Sequence, residues 1–313
     1  MRTPPGRAGP AGRAARARLR GKLLPWFLLT PAALVIFGLL LYPVGQTFWL
    51  SFRRAGLSFL VTGESRFVGL RNYVEMLGDP HLRRVMVTTA VFGLACVAGT
   101  MGVGLGVALL LNQRFRGRGL LTVLVLLPWA MPRVAAGIVW RWLFDDRYGL
   151  INWALASMGA EFFDGFAWFN ARLPAFAAIG MVVVWQAFPF VALALRAGLS
   201  SIPAEVGEAA RVDGARPWQQ LRHITLPMLK PLLLVLLVIS TIWDFKIFDQ
   251  VYVMTQGGPA RSTELMAIAV WREAFTRLNL GTAASLAMIL FAILAAITAL
   301  YVRVVQSREE GTA

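Results

Sequence analysis

Arg133 stands inside an apolar run, residues 120–144, just after Pro128 and Pro132, and Asp244, Lys246 and Asp249 interrupt a second run, residues 226–251. An ionisable side chain within a membrane-spanning helix is expensive, so it faces a bundle interior, a water-filled path or an opposite charge. Arg133 therefore fits two chemistries. One is contact with a solute in a path that the two prolines help to open; the other is pairing with an acid such as Asp244 to hold two helices together. Lys246 and Asp249 have the spacing of an ion pair on one helix face and read as a gating or structural pair. Trp185, Gln186 and Phe188 in a third run, residues 173–195, and Trp243 beside Asp244 add flat rings and neutral hydrogen-bonding groups. Each tryptophan fits equally well as an interfacial anchor or a packing residue, because amphipathic rings gather at both membrane surfaces.

Other chemistries lack their parts. The lysines are Lys22, Lys230 and Lys246, followed by Leu, Pro and Ile, so no glycine-rich phosphate loop ending in Lys-Ser or Lys-Thr exists in this chain. His81 and His223 are the only histidines, and the topology derived below places them on opposite sides of a membrane, which leaves no convergent set for hydrolysis. Asp244 and Asp249 are in poor helical register to meet on one face. Cys96 is the single cysteine, so neither an intrachain disulfide nor a cysteine-based metal site is available. The residues point away from an enzyme and from any cofactor or metal bound by this chain.

The elements that must position these groups are spans. With 58% hydrophobic and 15% charged residues and a mean hydropathy of +0.63, the 313-residue chain belongs in a bilayer. A spanning helix needs ~20 mostly apolar residues. Residues 23–50, 85–113, 120–144, 173–195, 226–251 and 278–302 meet that test, giving an all-α membrane protein of six helices with both termini on one side. The N-terminal segment, 114–118, 196–230 and the C-terminus together hold 17 arginines and lysines against 11 in the intervening outer segments, which puts the former in the cytoplasm. The basic segment 1–22 is then an uncleaved cytoplasmic tail, 304–313 a second tail, and the net charge of +15 reflects topology and lipid attraction, not nucleic-acid binding. Residues 23–84 form the first span and an outer segment, in which Phe67, Leu70, Tyr73, Val74 and Leu77 predict a short amphipathic helix on the membrane surface. Within 85–303, the Gly102/Gly106 pair has the spacing that lets helix backbones approach closely.

One polar stretch does not fit a lipid-facing chain: "GEAARVDGARPWQQLRHITLP", residues 207–227. It predicts two short helices inside a cytoplasmic loop, residues 199–230. Pro203 suits the first turn of one, with Glu205 and Glu208 near the positive end of its dipole. Gly214 suits a left-handed stop, Pro217 a restart, and Leu226-Pro227 the hand-over to the fifth span. Such a helix with Ala209 and Ala210 on one side can enter a groove on another protein; a loop that only spreads its arginines over the headgroups is the alternative.

At these residues the chain resembles the permease subunits of ABC importers, whose EAA loop reads Glu-Ala-Ala, a glycine and a hydrophobic-Leu-Pro step. The match is Glu208, Ala209, Ala210, Asp213, Gly214, Ala215, Ile224, Leu226 and Pro227. "FVGLRNYVEML", "LPWAMPRVAAGIVWRWLFDDRYGLIN", "IWDFKIFDQVYVMTQGGPARSTE" and "WREAF" extend the resemblance over most of 24–303, toward the carbohydrate and glycerol-phosphate group. The resemblance implies the type I importer permease fold, a coupling helix at 208–227 docked on a separate ATPase, and ATP and Mg held by two such partner subunits. It further implies a second permease chain and an external solute-binding protein. Sugar selection would then fall to rings and neutral groups, Trp185, Gln186, Phe188 and Trp243, with Asp244. The family segment commonly has Pro or a small residue where Arg133 stands, a departure that makes Arg133 a candidate for solute specificity.

Overall fold

The computed structural model of the protein describes residues 28–309; the basic segment 1–22, the start of the first predicted span and the end of the C-terminal tail lie outside them. Helix α1 (Leu28–Ser51) leads into an outer cap made of a two-strand ribbon, Arg53–Arg54 against Arg66–Phe67, and helices α2 (Leu57–Thr62) and α3 (Arg71–Gly78). Helix α4 (Pro80–Asn112) begins where the sequence allows: Pro80 takes the first turn and the Asp79 carboxylate accepts from His81 N at 2.7 Å. Helices α5 (Arg118–Ala130) and α6 (Arg133–Leu143) are followed by the short α7 (Leu150–Ser157) and the long α8 (Arg172–Ser200). After α9 (Ala204–Val212), helix α10 (Pro217–Gln220) runs through a π turn at Leu221–Thr225 straight into α11 (Leu226–Phe245). The chain closes with α12 (Asp249–Thr255), α13 (Met266–Trp271) and α14 (Leu280–Glu309).

Among the described residues, five helical stretches are long and apolar enough to span a bilayer, and a sixth span is counted if α5 and α6 form one. They do not form a straight one: the pair is bent by 99°. Met131 precedes a proline, is pushed to an extended conformation (ψ 138°), and cannot continue α5, while Pro132 caps the start of α6. The predicted single helix over 120–144 is thus two helices meeting at the residues around Arg133.

Helices α4 and α8 form the centre. Phe92 and Cys96 of α4 meet Ile179, Val182 and Val183 of α8 and Val251 and Met254 of α12 in one buried cluster. A second joins Ala108, Val191, Leu195, Leu229 and Leu236 toward the other end. The backbone approach of α4 to α8 rests on Gly99 and Gly104, not on the predicted Gly102/Gly106 pair. A Cβ at Gly104 would lie 2.6 Å from Val191 Cγ1 and one at Gly99 2.8 Å from Val184 Cγ2, whereas nothing lies within 4 Å at Gly102 or Gly106. Gly104→Val is therefore expected to destabilise the chain by about 1–3 kcal/mol, as an overpacked core does, while Gly102→Val shifts stability by no more than ~0.5 kcal/mol. Thermal denaturation of the two detergent-purified variants checks the contrast.

The outer helix predicted from 67–77 exists as α3, and its seat is polar. Asn72 Nδ2 donates to Ser51 O (2.8 Å) and Arg53 O (2.9 Å), and Tyr73 Oη donates to Ser51 Oγ (2.8 Å). Met76 is buried against α4 and α14, and Leu70, Val74 and Leu77 are left facing outward as an apolar surface.

Candidate functional site

Two breaks in helical backbone border one cavity together with α8. One is the α5–α6 corner; the other is the stretch Lys246–Phe248 between α11 and α12, where Lys246 caps α11. Non-helical backbone at membrane depth is tolerated only where protein or water satisfies it, and here it borders a cavity of about 440 Å³. Arg133, Gln186, Trp243 and Asp244 all line this cavity, with Trp129 and Gln250.

The polarity of its wall follows from one carbonyl. Met131, at the C-terminal end of α5, has lost its intrahelical partner, and its oxygen accepts from Gln186 Nε2 at 2.7 Å. That fixes the Gln186 amide, so its Oε1 accepts from Gln250 Nε2 at 2.7 Å. Among the described residues, Gln250 Oε1 is left buried without a partner, and so is Asp244 Oδ2. Asp244 and Gln250 are 4% and 2% exposed, and burying a polar group unbonded costs free energy. Two residues of the cavity wall thus each hold a buried acceptor without a partner, beside a guanidinium. Rings form its aromatic side: Trp129 stacks on Phe190 (centroids 6.1 Å apart), which meets Trp243 at 5.1 Å.

Four of the six predicted path residues are thus brought together. Trp185 turns instead against Trp140 at 5.2 Å, and Phe188 does not line the cavity. Arg133 and Asp244 share the cavity but form no ion pair. Neither do Lys246 and Asp249, because the break between α11 and α12 removes the helical register on which that pairing depended. Lys246 is exposed and borders a separate groove against Phe291 and Thr298 of α14. Gln250, Trp129 and Phe190 were missed by sequence reasoning, although Trp129 and Gln250 lie in segments that carried the family resemblance.

At the opposite end, the polar loop is built as a helix and a stop. Gly214 is left-handed (φ +76°), its N–H donates to Arg211 O (3.1 Å), and Ala215 N–H donates to Ala210 O (2.9 Å). These are the two bonds of a Schellman cap. Pro203 sits just before the first helical residue and Glu205 in the first turn. Ala210 is buried while Glu208, Ala209 and Asp213 are exposed, and Val212 (88%) and Trp218 (63%) project fully outward. The second predicted helix is not separate, because Leu226-Pro227 interrupts nothing: α10 and α11 are continuous through the π turn, with Pro227 in α11's own first turn.

A third feature has no counterpart in the sequence reading. Glu264 is buried and clasped by Arg261 (2.6 Å), His81 (2.9 Å) and Arg272 (3.4 Å), which ties the loop after α12 to α4 and to the turn after α13. A buried carboxylate needs such partners, and its hydrogen bond holds the Arg261 guanidinium above its ordinary range.

Apolar spans broken around a polar cavity, with a helix-and-stop loop presented at one end, define the membrane component of a transport system. The chain belongs to the family described as binding-protein-dependent transport system inner membrane component, whose model matches residues 100–309. Among curated relatives, the sulfoquinovosyl glycerol transport system permease protein SmoG of Agrobacterium fabrum is 37% identical and covers 93% of each chain. The diacetylchitobiose uptake system permease protein DasB of Streptomyces coelicolor is 37% identical over 96% of this chain and 93% of its own. The trehalose/maltose transport system permease protein MalF of Thermococcus litoralis is 34% identical over 94% and 98%. Among solved structures, a bacterial ABC transporter involved in the import of the acidic polysaccharide alginate superposes with a TM-score of 0.72 at 20% identity, covering 93% of this chain and 99% of that one. The fold is that of the type I ABC importer permeases, and the chain is a multi-pass inner membrane transport subunit, not an enzyme.

Proposed function

We propose that the chain forms half of the translocation path for a sugar or sugar-like solute. It pairs with a second, similar permease chain, receives solute from an external binding protein, and is driven by two ATPase subunits that hold the ATP and Mg. The carrying observation is the cavity at the two helix breaks: unpartnered acceptors on Asp244 and Gln250, a guanidinium, and the ring surface of Trp243 and Trp129 suit a polyhydroxyl compound. The relatives' names point the same way. Both termini and the loop 199–230 lie in the cytoplasm, where Glu208, Ala209, Ala210, Asp213, Gly214, Ala215 and Pro227 form the coupling segment. The body 85–303 carries the path, with 23–84 as first span and outer cap and the ends 1–22 and 304–313 as cytoplasmic tails. Lys246 and Asp249, unpaired in this conformation, serve as gating positions at the α11–α12 break.

The complete complex in proteoliposomes, offered trehalose, maltose, diacetylchitobiose, sulfoquinovosyl glycerol and sn-glycerol-3-phosphate, is expected to import at least one of them with an absolute need for ATP and binding protein. Uptake that persists after ATP depletion overturns the reading in favour of a self-contained carrier. A second reading rests on Arg133, a cation lining the cavity with no ion-pair partner among the described residues: the solute carries an anionic group, as in the glycerol-phosphate compounds. Under it, Arg133→Ala lowers uptake of the anionic members about tenfold or more and spares the neutral ones; under the neutral reading both classes fall together or neither does.

A further inference from the structure

Helices α4 and α8 touch closely at Gly99 and Gly104, and their N-terminal halves border a groove of about 740 Å³. Its walls are hydrocarbon, including Val87, Val91, Ala95, Phe176, Ala177 and Val184, and Gly180 deepens its floor. Two polar residues line it, Thr88 and Arg172, and both stand at one end. Arg172 is the first residue of α8; its Nη2 donates to Thr88 Oγ1 at 2.9 Å and its guanidinium carbon lies 5.9 Å from the Phe176 ring centre. These contacts lay the cation over the mouth of the groove.

More positive charge stands beside it. Arg84 lies one turn before Thr88 on the same face of α4, and Arg83 one turn before Val87. Both are exposed, and none of the three arginines forms an ion pair among the described residues. The nearest acid in sequence, Asp79, turns its Oδ1 to His81 N.

We propose that this groove binds one anionic phospholipid, its phosphate at the Arg172 mouth and one acyl chain along the α4–α8 seam. Length supports it: from Arg172 to Val184 the seam spans ~18 Å at the helical rise per residue, close to the ~15 Å of half a hydrocarbon core. An acyl chain gains no hydrophobic free energy by moving from the bilayer onto protein, since lipid tails are equally apolar. Preference among lipids must therefore come from the headgroup. Three unpaired arginines favour a headgroup of net negative charge, each contributing roughly a fivefold preference near an anionic surface.

The test uses the intact transporter complex, delipidated in detergent and titrated with phosphatidylglycerol or phosphatidylcholine, with bound lipid counted by native mass spectrometry. The wild-type complex is expected to retain one phosphatidylglycerol at least about fivefold more tightly than phosphatidylcholine. Arg172→Gln, which keeps a donor for Thr88 but removes one of the three charges, should lower that preference about fivefold. Ala177→Trp, a change at an exposed position that fills the groove and leaves the charge alone, should release the lipid. Equal retention of the two lipids, or a preference that Arg172→Gln leaves unchanged, overturns the proposal. So does retention unaffected by Ala177→Trp, which means surface attraction only, or displacement by excess inorganic phosphate, which means a simple anion site.

Discussion

Replacing Gly214 by valine is expected to leave a complex that assembles and hydrolyses ATP at its basal rate but no longer accelerates when solute-loaded binding protein is added. The residue is left-handed at φ +76°, and a β-branched side chain there costs about 1–2 kcal/mol, enough to depopulate the turn by roughly five- to thirtyfold. The turn closes the two cap bonds from Gly214 and Ala215 and sets the angle at which Pro217 enters the next helix. That next helix is the lever. From Pro217 to Phe245 the chain is one continuous helical rod, π turn included, so a displacement of the loop at one end moves Trp243 and Asp244 at the other. The space around Gly214 is open, with nothing within 4 Å of an added Cβ, so the effect is conformational and not steric crowding. Asparagine tolerates the left-handed region better than other non-glycine residues. Solute-stimulated ATPase activity should therefore fall in the order Gly, Asn, Ala, Val, with valine at least about tenfold below wild type. A valine variant that responds like wild type removes Gly214 from the coupling mechanism.

The spans and the loop were legible because their signals are local. Apolar runs of membrane length are read directly from composition, and a glycine between two helix-forming segments, with a proline just beyond it, announces a stop. Features that failed depend on direction or on distant residues. The spacing of Gly102 and Gly106 states that two small residues share a face but not which way that face points; it points away from α8, and Gly99 and Gly104 take the contact. Pro132 was visible, yet a proline inside an apolar run is compatible with a kinked span, and only the extended Met131 shows a 99° corner. Glu264 finds His81 across 183 residues, and Gln186 finds Gln250 across 64, so neither pairing leaves a periodic trace. The Lys246–Asp249 pairing failed for the opposite reason: it trusted a helical register where the helix stops.

Asp244→Leu should separate stability from transport. Asp244 is 4% exposed and its Oδ2 has no hydrogen-bond partner among the described residues, an arrangement that destabilises the fold. Leucine is of similar size, removes the unsatisfied oxygen and suits the apolar neighbours on α11. If the carboxylate is kept for the solute, the variant melts at the same temperature as wild type or higher, while ATP-dependent uptake falls at least about tenfold, the loss expected when a site built to bind a hydroxyl loses its acceptor. If Asp244 instead holds α11 to α6 through Arg133, the variant leaves that cation unmatched and melts lower, with uptake falling only as far as the folded fraction falls. Gln250→Leu sharpens the distinction, because its amide also satisfies Gln186. Its removal is expected to lower stability by about 1–3 kcal/mol through the orphaned Gln186 oxygen and to weaken uptake as well. A raised melting temperature with lost uptake for Asp244→Leu, beside a lowered one for Gln250→Leu, is the signature of one acceptor held ready for cargo and another that also braces the wall. Two variants that melt alike and transport alike would place solute recognition elsewhere in the bundle.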